Sequence, residues 1–528
     1  MTVLLERLRA HADANPDHRA IDALDGAPLT YATLAAKVAE SAEKLRAACA
    51  SDTPVVLRQD HGTDTAVLEL ALLEAGIPVL SLPLFFTAEQ ADHATAACGA
   101  LAQFDSVPRS RAKPLKSAPS HPLISPGTAR ITFTSGSTGA PKGVCLSAQH
   151  MLTVAGAVVE ALGTEHAGRH LALLPPGILL ETVAGFFATM LAGGTYVCPP
   201  QRALGLADPF RPDFPAMLHT IAEARITSLI LVPEYLAGLV EAIERSGTPL
   251  PLLTLVAVGG AHTPPGLVAR ARGLGLPVRQ GYGLTECGSV VSLEDSAQGE
   301  AGSAGHVLPH MTVRIAEDGE VLLDGPLCLG TIDSPREPGV LATGDIGRID
   351  ELGRLWIEGR KSNLIVTSYG RNVSPEWVEA ALLAQPDIAQ AMVHGDGRSA
   401  PEALLVPARP DSKLAASVEA ANASLPAYAR IADWREAAHF TPDNGRLTAN
   451  GRLVRAKIAE AYLNGKPDFF TDLEAATVRE RLRFLRVPQL QAGLNGTISR
   501  AAYLDYLVQA FHHVSHTVPL MRAARKRL

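Results

Sequence analysis

The six cysteines, Cys49, Cys98, Cys145, Cys198, Cys287 and Cys328, are scattered, and none stands in a Cys-x-x-C pair. That leaves free thiols in a reducing compartment as the reading. Long blocks of like charge are also missing: 47 Lys and Arg against 54 Asp and Glu give a net −7, spread along the chain, so a nucleic-acid partner is not expected. No apolar run reaches the roughly 20 residues a membrane span needs. The most apolar stretch, 171–200, is broken by Pro175, Pro176, Glu181 and several glycines, so no transmembrane segment is expected. The opening residues, Met-Thr-Val-Leu-Leu-Glu-Arg-Leu-Arg, become charged too soon for the apolar region of a signal peptide. There is no internal repeat. Together these absences point to a cytoplasmic globular protein.

What is present is size and alternation. A chain of 528 residues exceeds the roughly 250–300 at which single cores stop growing, so at least two domains are expected, and 47% hydrophobic residues supply the cores. Short apolar runs such as Ser228-Leu229-Ile230-Leu231-Val232 and Thr254-Leu255-Val256-Ala257-Val258 end at Pro or Gly and read as buried parallel strands. Helical periodicity surrounds them, in 216–224 and 235–245, which argues a layered α/β domain. Residues 105–128, rich in Pro, Ser, Arg and Lys, read as an exposed connector.

That connector leads to the most informative segment, Phe133-Thr134-Ser135-Gly136-Ser137-Thr138-Gly139-Ala140-Pro141-Lys142-Gly143. Its glycines let consecutive N–H groups converge on one anion. Thr134, Ser135, Ser137 and Thr138 add hydroxyl donors, and Lys142 adds a mobile positive charge. This is the composition of a loop that wraps an oligophosphate. It is not a Walker loop, because Gly143 stands after Lys142 where that pattern wants a hydroxyl.

The segment resembles the phosphate loop of the AMP-forming adenylating superfamily, which holds acyl- and aryl-CoA synthetases, peptide-synthetase adenylation domains and luciferase. Further matches follow in the order that family requires. Leu29-Thr30-Tyr31 with Leu34, and Leu73-Glu74-Ala75-Gly76-Ile77-Pro78-Val79, look like its N-terminal packing motifs. Gly281-Tyr282-Gly283-Leu284-Thr285-Glu286 looks like its adenine and metal motif, and Thr343-Gly344-Asp345 like its ribose motif. Gly359-Arg360-Lys361, then Gly370-Arg371-Asn372-Val373-Ser374-Pro375-Glu376 closing on Glu379, look like its hinge and the start of its small domain. The resemblance covers about residues 1–460. It implies an α/β protein with a large layered α/β N-terminal adenylating domain over 1–358, a small, mobile α+β C-terminal domain over 359–464, and a helical C-terminal tail over 465–528.

The resemblance also implies a chemistry. A carboxylate is a poor acyl donor; attack on the α-phosphate of ATP makes its oxygen part of AMP and expels pyrophosphate. Both partners are anionic, so the site must neutralise charge and align. On this reading Thr134, Ser135, Gly136, Ser137, Thr138 and Gly139 bind the phosphates with Lys142, while Glu286 holds Mg²⁺ with Thr285 alongside. Gly281, Tyr282 and Gly283 take the adenine, with Tyr282 either stacking on it or serving as an ordinary half-buried aromatic. Asp345 accepts from both ribose hydroxyls. Arg360 reaches the ribose or α-phosphate, or makes a surface salt bridge. Lys361 and Ser362 stand at the hinge.

One position departs from the family. Asn450-Gly451-Arg452-Leu453-Val454-Arg455 aligns with its Asn-Gly-Lys-x-x-Arg loop, whose lysine bridges substrate carboxylate and α-phosphate, but this chain has Arg452 there. Arginine keeps the charge and changes reach and shape. Lys457 follows in the next helix as a partial substitute.

An acyl pocket is expected near Leu179, Leu180, Gly259, Gly260 and Ala261, an aliphatic, glycine-rich lining suited to a fatty chain, with plain core the alternative for the two leucines. The expected activity is ATP-dependent ligation of a carboxylic, fatty acid to coenzyme A through an acyl-adenylate. The alternatives are loading of a carrier-protein phosphopantetheine, or a degenerate adenylate-binding protein without turnover. In the tail, Leu473–Leu485 and Ser499–Arg527 read as two helices separated at Val487-Pro488, Gly493 and Asn495-Gly496. They bear a slight resemblance to the opening helices of haem-oxygenase-like iron-containing oxidases. The tail is too short to complete that bundle, so no metal is assigned to His512, His513 and His516, and a docking or dimerising role is the plainer reading.

Overall fold

The computed structural model describes residues 2–49, 53–100, 102–104, 113–114, 123–134, 142–209, 211–441, 443–447, 452–463, 469–494 and 498–510. The chain divides into two compact units, residues 1–364 with 372–380, and 365–371 with 381–528.

The first unit is built on two large sheets. In the nine-stranded sheet the strands Val278–Tyr282, Leu255–Val258, Ser228–Leu231, Arg169–Leu171, Thr195–Val197 and Arg19–Asp22 run parallel side by side. The runs read from sequence as buried parallel strands are those strands. Every residue of Ser228–Leu231 is buried, as a strand covered by helices on both faces requires, and each such Leu or Ile contributes about 1.5–3 kcal/mol. Pro233 then starts the helix Pro233–Ser246, since proline lacks only a donor that the first turn leaves unused, and Gly247 ends it at φ 67°. The eight-stranded sheet contains the hairpin Thr128–Thr134 and Lys142–Ser147, flanked by Gly330–Thr331 on one side and Val79–Ser81 on the other. A four-stranded antiparallel sheet carries Leu341–Ile349 beside Glu320–Asp324 and Leu355–Arg360.

Tyr31, Leu34 and Ile77 of the two packing motifs are fully buried. They sit in cores that also hold Leu4, Val144 and Phe187, or Leu57 and Phe104. A second large core joins the helices Phe214–Glu223 and Pro233–Ser246 to the parallel strands. Leu180 and Ala184 pack against both this core and the one holding Phe187.

The second unit has a three-stranded sheet, Ile388–His394, Glu402–Pro407 and Asp433–Glu436. Its core joins Met392, Leu404, Phe440, Ile458 and Tyr462. The tail departs from its expected form. Helices Phe469–Ala476 and Val478–Leu485 break at Thr477, and Pro488–Leu494 is itself helical where a separator was expected, because Pro488 stands at a helix start. Arg479 ties this segment to the sheet, with its guanidinium donating to Glu436 at 2.7–3.1 Å and to the Pro410 and Ser412 carbonyls at 3.0 and 3.1 Å. The three tail histidines lie outside the described residues. No helix among the described residues is long and apolar enough to cross a membrane, and all six cysteines are free.

Candidate active site

The strand Val278–Tyr282 ends in a tight turn. A Cβ on Gly283 would lie 1.5 Å from the Ser289 carbonyl oxygen, so only glycine lets the chain double back here. The turn carries Thr285 and Glu286 on a short 3₁₀ segment, Thr285–Cys287, closed by Gly288 at φ 69°. Glu286 is half-buried. Its backbone carbonyl accepts from the Cys328 N–H at 2.7 Å. Two residues on, Gly330–Thr331 pairs with the strand that begins at Lys142. Lys142, exposed, faces Thr134 across the mouth of the hairpin whose connection is the hydroxyl-rich loop. The segment 328–331 thus links the turn that carries Glu286 to the strand that Lys142 begins. Ser135, Gly136, Ser137, Thr138 and Gly139 lie outside the described residues, as does the side chain of Thr134.

Tyr282, Asp345 and Arg360 meet directly. The Tyr282 hydroxyl donates to Asp345 Oδ2 at 2.6 Å, and Arg360 Nε lies 2.9 Å from Asp345 Oδ1. Burial, reinforced by the Asp345 charge, pushes the Tyr282 phenol well above its ordinary range, so it stays a donor. Arg360 also donates to the Thr343 carbonyl at 2.9 Å. Asp345 is 5% exposed. This is a polar, charge-balanced wall.

Thr343 of the ribose motif and two residues that sequence reasoning did not single out, Glu320 and Asp318, complete this wall. Thr343 Oγ1 accepts from the Asp345 N–H at 3.0 Å and donates to Val321 O at 2.8 Å. Glu320 accepts from the Gly344 N–H at 2.9 Å and lies 2.7 Å from Lys361 Nζ, with Asp318 at 2.5 Å on the same ammonium. Hydrogen bonds from Lys361 to Asp318 and Glu320 push the lysine up to about 12. The signal for Glu320 is a strand register, with 320–324 laid against 341–349, and no local pattern carries it.

The expected acyl-pocket residues separate into three groups. Leu180, half-buried, borders the seam between Gly259 and Gly281: a Cβ on Gly259 would sit 3.7 Å from Leu180 Cδ2 and 3.5 Å from the Gly281 carbonyl. Leu179 is 6% exposed within the core that holds Phe187. Gly260 (φ 83°) and Ala261 are exposed in the loop beyond.

In the second unit, exposed Arg452 precedes Leu453, which bridges to Leu447, and the Val454 N–H donates to the Arg446 carbonyl at 2.9 Å. Lys457 lies against Gly445, the residue before Arg446.

The Tyr282–Asp345–Arg360 cluster, the turn carrying Glu286 and the strand that Lys142 begins, on parallel α/β sheets, fit an enzyme of the AMP-forming acid–CoA ligase class. The chain belongs to the AMP-binding enzyme family: the model of that family matches residues 8–332, and that of its C-terminal domain matches 362–465. It is similar to the 2-succinylbenzoate–CoA ligase of Bacillus subtilis, at 29% identity over 358 residues, 63% of this chain and 69% of the relative. It is also similar to the long-chain-fatty-acid–CoA ligase FadD15 of Mycobacterium bovis, at 31% over 243 residues, 40% of this chain and 39% of the relative. The solved structure of B. subtilis o-succinylbenzoate CoA synthetase with ATP and magnesium shares the fold, with a TM-score of 0.68 at 24% identity over 85% of this chain and 98% of that one.

Proposed function

We propose that this chain condenses an aliphatic, fatty carboxylic acid with ATP and passes the acyl group to coenzyme A. The observation that carries the reading is the Leu180–Gly259–Gly281 seam, lined by the Leu180 side chain and by two glycines without side chains, one residue from Tyr282 and its bond to Asp345. An acyl chain lying in that seam would have its carboxylate beside the nucleotide. Named relatives that act on a succinylbenzoate and on long-chain fatty acids support the ligase class and leave the acid open; the aliphatic wall favours the fatty acid.

In the first half-reaction a carboxylate oxygen attacks the α-phosphorus, the bond to the bridging oxygen breaks, and pyrophosphate leaves. The loop from Thr134 to Lys142 would hold the β- and γ-phosphates, with Lys142 neutralising charge. Asp345 would accept from the ribose hydroxyls, while Arg360 keeps that carboxylate oriented. The Glu286 carboxylate, half-buried at the turn, suits a hard cation, and Thr285 stands beside it. Magnesium bound there would draw negative charge off the phosphates. In the second half-reaction a thiolate attacks the acyl carbon and AMP departs. Free thiols throughout support a cytoplasmic setting.

Pyrophosphate release from a panel of fatty and aryl acids tests this, followed by mass detection of acyl-CoA. Fatty acids are expected to lead. Release with aryl acids alone would reject the fatty assignment, and product only with a carrier protein would change the acceptor. Arg452 in the lysine position favours one second reading, an adenylate-binding protein without turnover, which would release no pyrophosphate above background.

A further inference from the structure

Glu181 opens a π-helical segment, Glu181–Phe187, in the middle of a helix that begins at Leu179 and continues into Ala188–Ala192. Such segments are rare and occur frequently at functional sites. The Glu181 side chain is 2% exposed. Its Oε1 lies 3.2 Å from His170 Nε2 and 3.4 Å from the Tyr196 hydroxyl, and His170 Nδ1 lies 3.1 Å from Ser228 Oγ. His170, Tyr196 and Ser228 stand on three neighbouring strands, so one carboxylate pins the π segment to the middle of the nine-stranded sheet. Burial holds the Tyr196 phenol well above its ordinary range, which keeps it a donor.

Gly185 makes room for this contact. A Cβ there would lie 2.3 Å from Glu181 Oε1 and 2.8 Å from His170 Nε2. Glu181 also borders a chamber of about 30 Å³, shared with His61, Thr65 and Glu69, and its Oε2 has no donor among the described residues. A buried carboxylate costs stability that a well-packed apolar side chain at the same place would not. Leu180, its neighbour, points elsewhere: it packs between the two large cores and borders the Gly259–Gly281 seam.

We infer that Glu181, acting through His170 and Tyr196, is a positioning residue for acid selectivity: it holds the π register, and the register holds Leu180 in the acyl seam. The inference rests on the reading of that seam as the acyl pocket. If the segment relaxed to α geometry, removing one residue of excess would turn the preceding residues by about 100°. Leu180 would leave the seam and open it to larger acids.

The test compares wild type, Glu181→Gln, Glu181→Leu and Gly185→Ala in pyrophosphate release over acids graded in length and width, with KM for ATP measured in parallel. Gln can still accept from His170, so Glu181→Gln is expected to keep the wild-type ranking of acids. Glu181→Leu and Gly185→Ala are expected to raise KM for the best acid about tenfold, the scale of a misplaced methylene-sized wall. They should also move the optimum toward larger acids and leave KM for ATP within about twofold. If Glu181→Leu does not fold, Gly185→Ala and His170→Asn carry the same comparison. An unchanged ranking, with kcat lowered uniformly, overturns the inference while leaving the ligase reading standing. A wild-type protein that releases no pyrophosphate with any acid overturns both.

Discussion

Asp345 shows how a single side chain concentrates the problem. It holds a phenol on one oxygen and a guanidinium on the other, so its orientation is set by the protein itself. Tyr282→Phe removes a hydrogen bond to a charged group, worth about 1.5–3 kcal/mol. The expected outcome is a rise in KM for ATP of about tenfold or more, read by pyrophosphate release against ATP concentration, with a melting temperature lowered by a few degrees. Arg452 is the other residue on which the proposed adenylation would turn. Arg452→Lys is expected to speed adenylation in a single-turnover assay, because a compact ammonium replaces a planar fork at a position read as bridging two anions; an unchanged rate would show the arginine to be fully competent. His150, 4% exposed, carries a pH effect. Burial lowers it to about 4, whereas the unfolded chain titrates near 6.5. Between these values the unfolded state binds more protons, so stability falls as pH drops from about 6.5 toward 4. His150→Leu is expected to flatten that part of a plot of melting temperature against pH.

Among the elements, the turn after Tyr282 leaves no space. Gly283→Ala forces a Cβ onto the Ser289 carbonyl, against backbone that has no rotamer to yield. Overpacking of this kind costs about 1–3 kcal/mol or more. A melting temperature several degrees lower is expected, with nucleotide affinity lost alongside it, because the same turn positions Glu286. Motif strings located this turn, the hairpin mouth at Lys142 and the strand carrying Asp345, since each is a short local pattern. The π segment was not legible. Residues 178–190 are an apolar run with one Glu, and helical periodicity cannot reveal an added residue whose support comes from His170 and Tyr196, 11 and 15 positions away.

For the molecule as a whole, the tail helices belong to the second unit. Removing residues 465–528 would leave Glu436 without Arg479 and expose Val478's packing site. The truncated chain is expected to lose a cooperative unfolding step or shift it to lower temperature in calorimetry, while AMP binding to the first unit is retained. Loss of AMP binding as well would mean that the first unit depends on the tail.

Local chemistry, written in the order of the residues, was enough to read the parallel α/β strands and the family, and to single out Lys142, Glu286 and Asp345 as candidate site residues. These depend on neighbours within about ten positions: hydroxyls and glycines in one loop, apolar runs stopped by proline. Other features needed the folded chain. Glu320 reaches Gly344 and Lys361 only through antiparallel register, Tyr282 reaches Asp345 across 63 positions, and Leu179 and Leu180, adjacent and alike, part company because one faces a core and the other a seam. Contacts between residues far apart in sequence are set by how strands and helices pack, and packing is a property of the assembled sheet that no local string encodes.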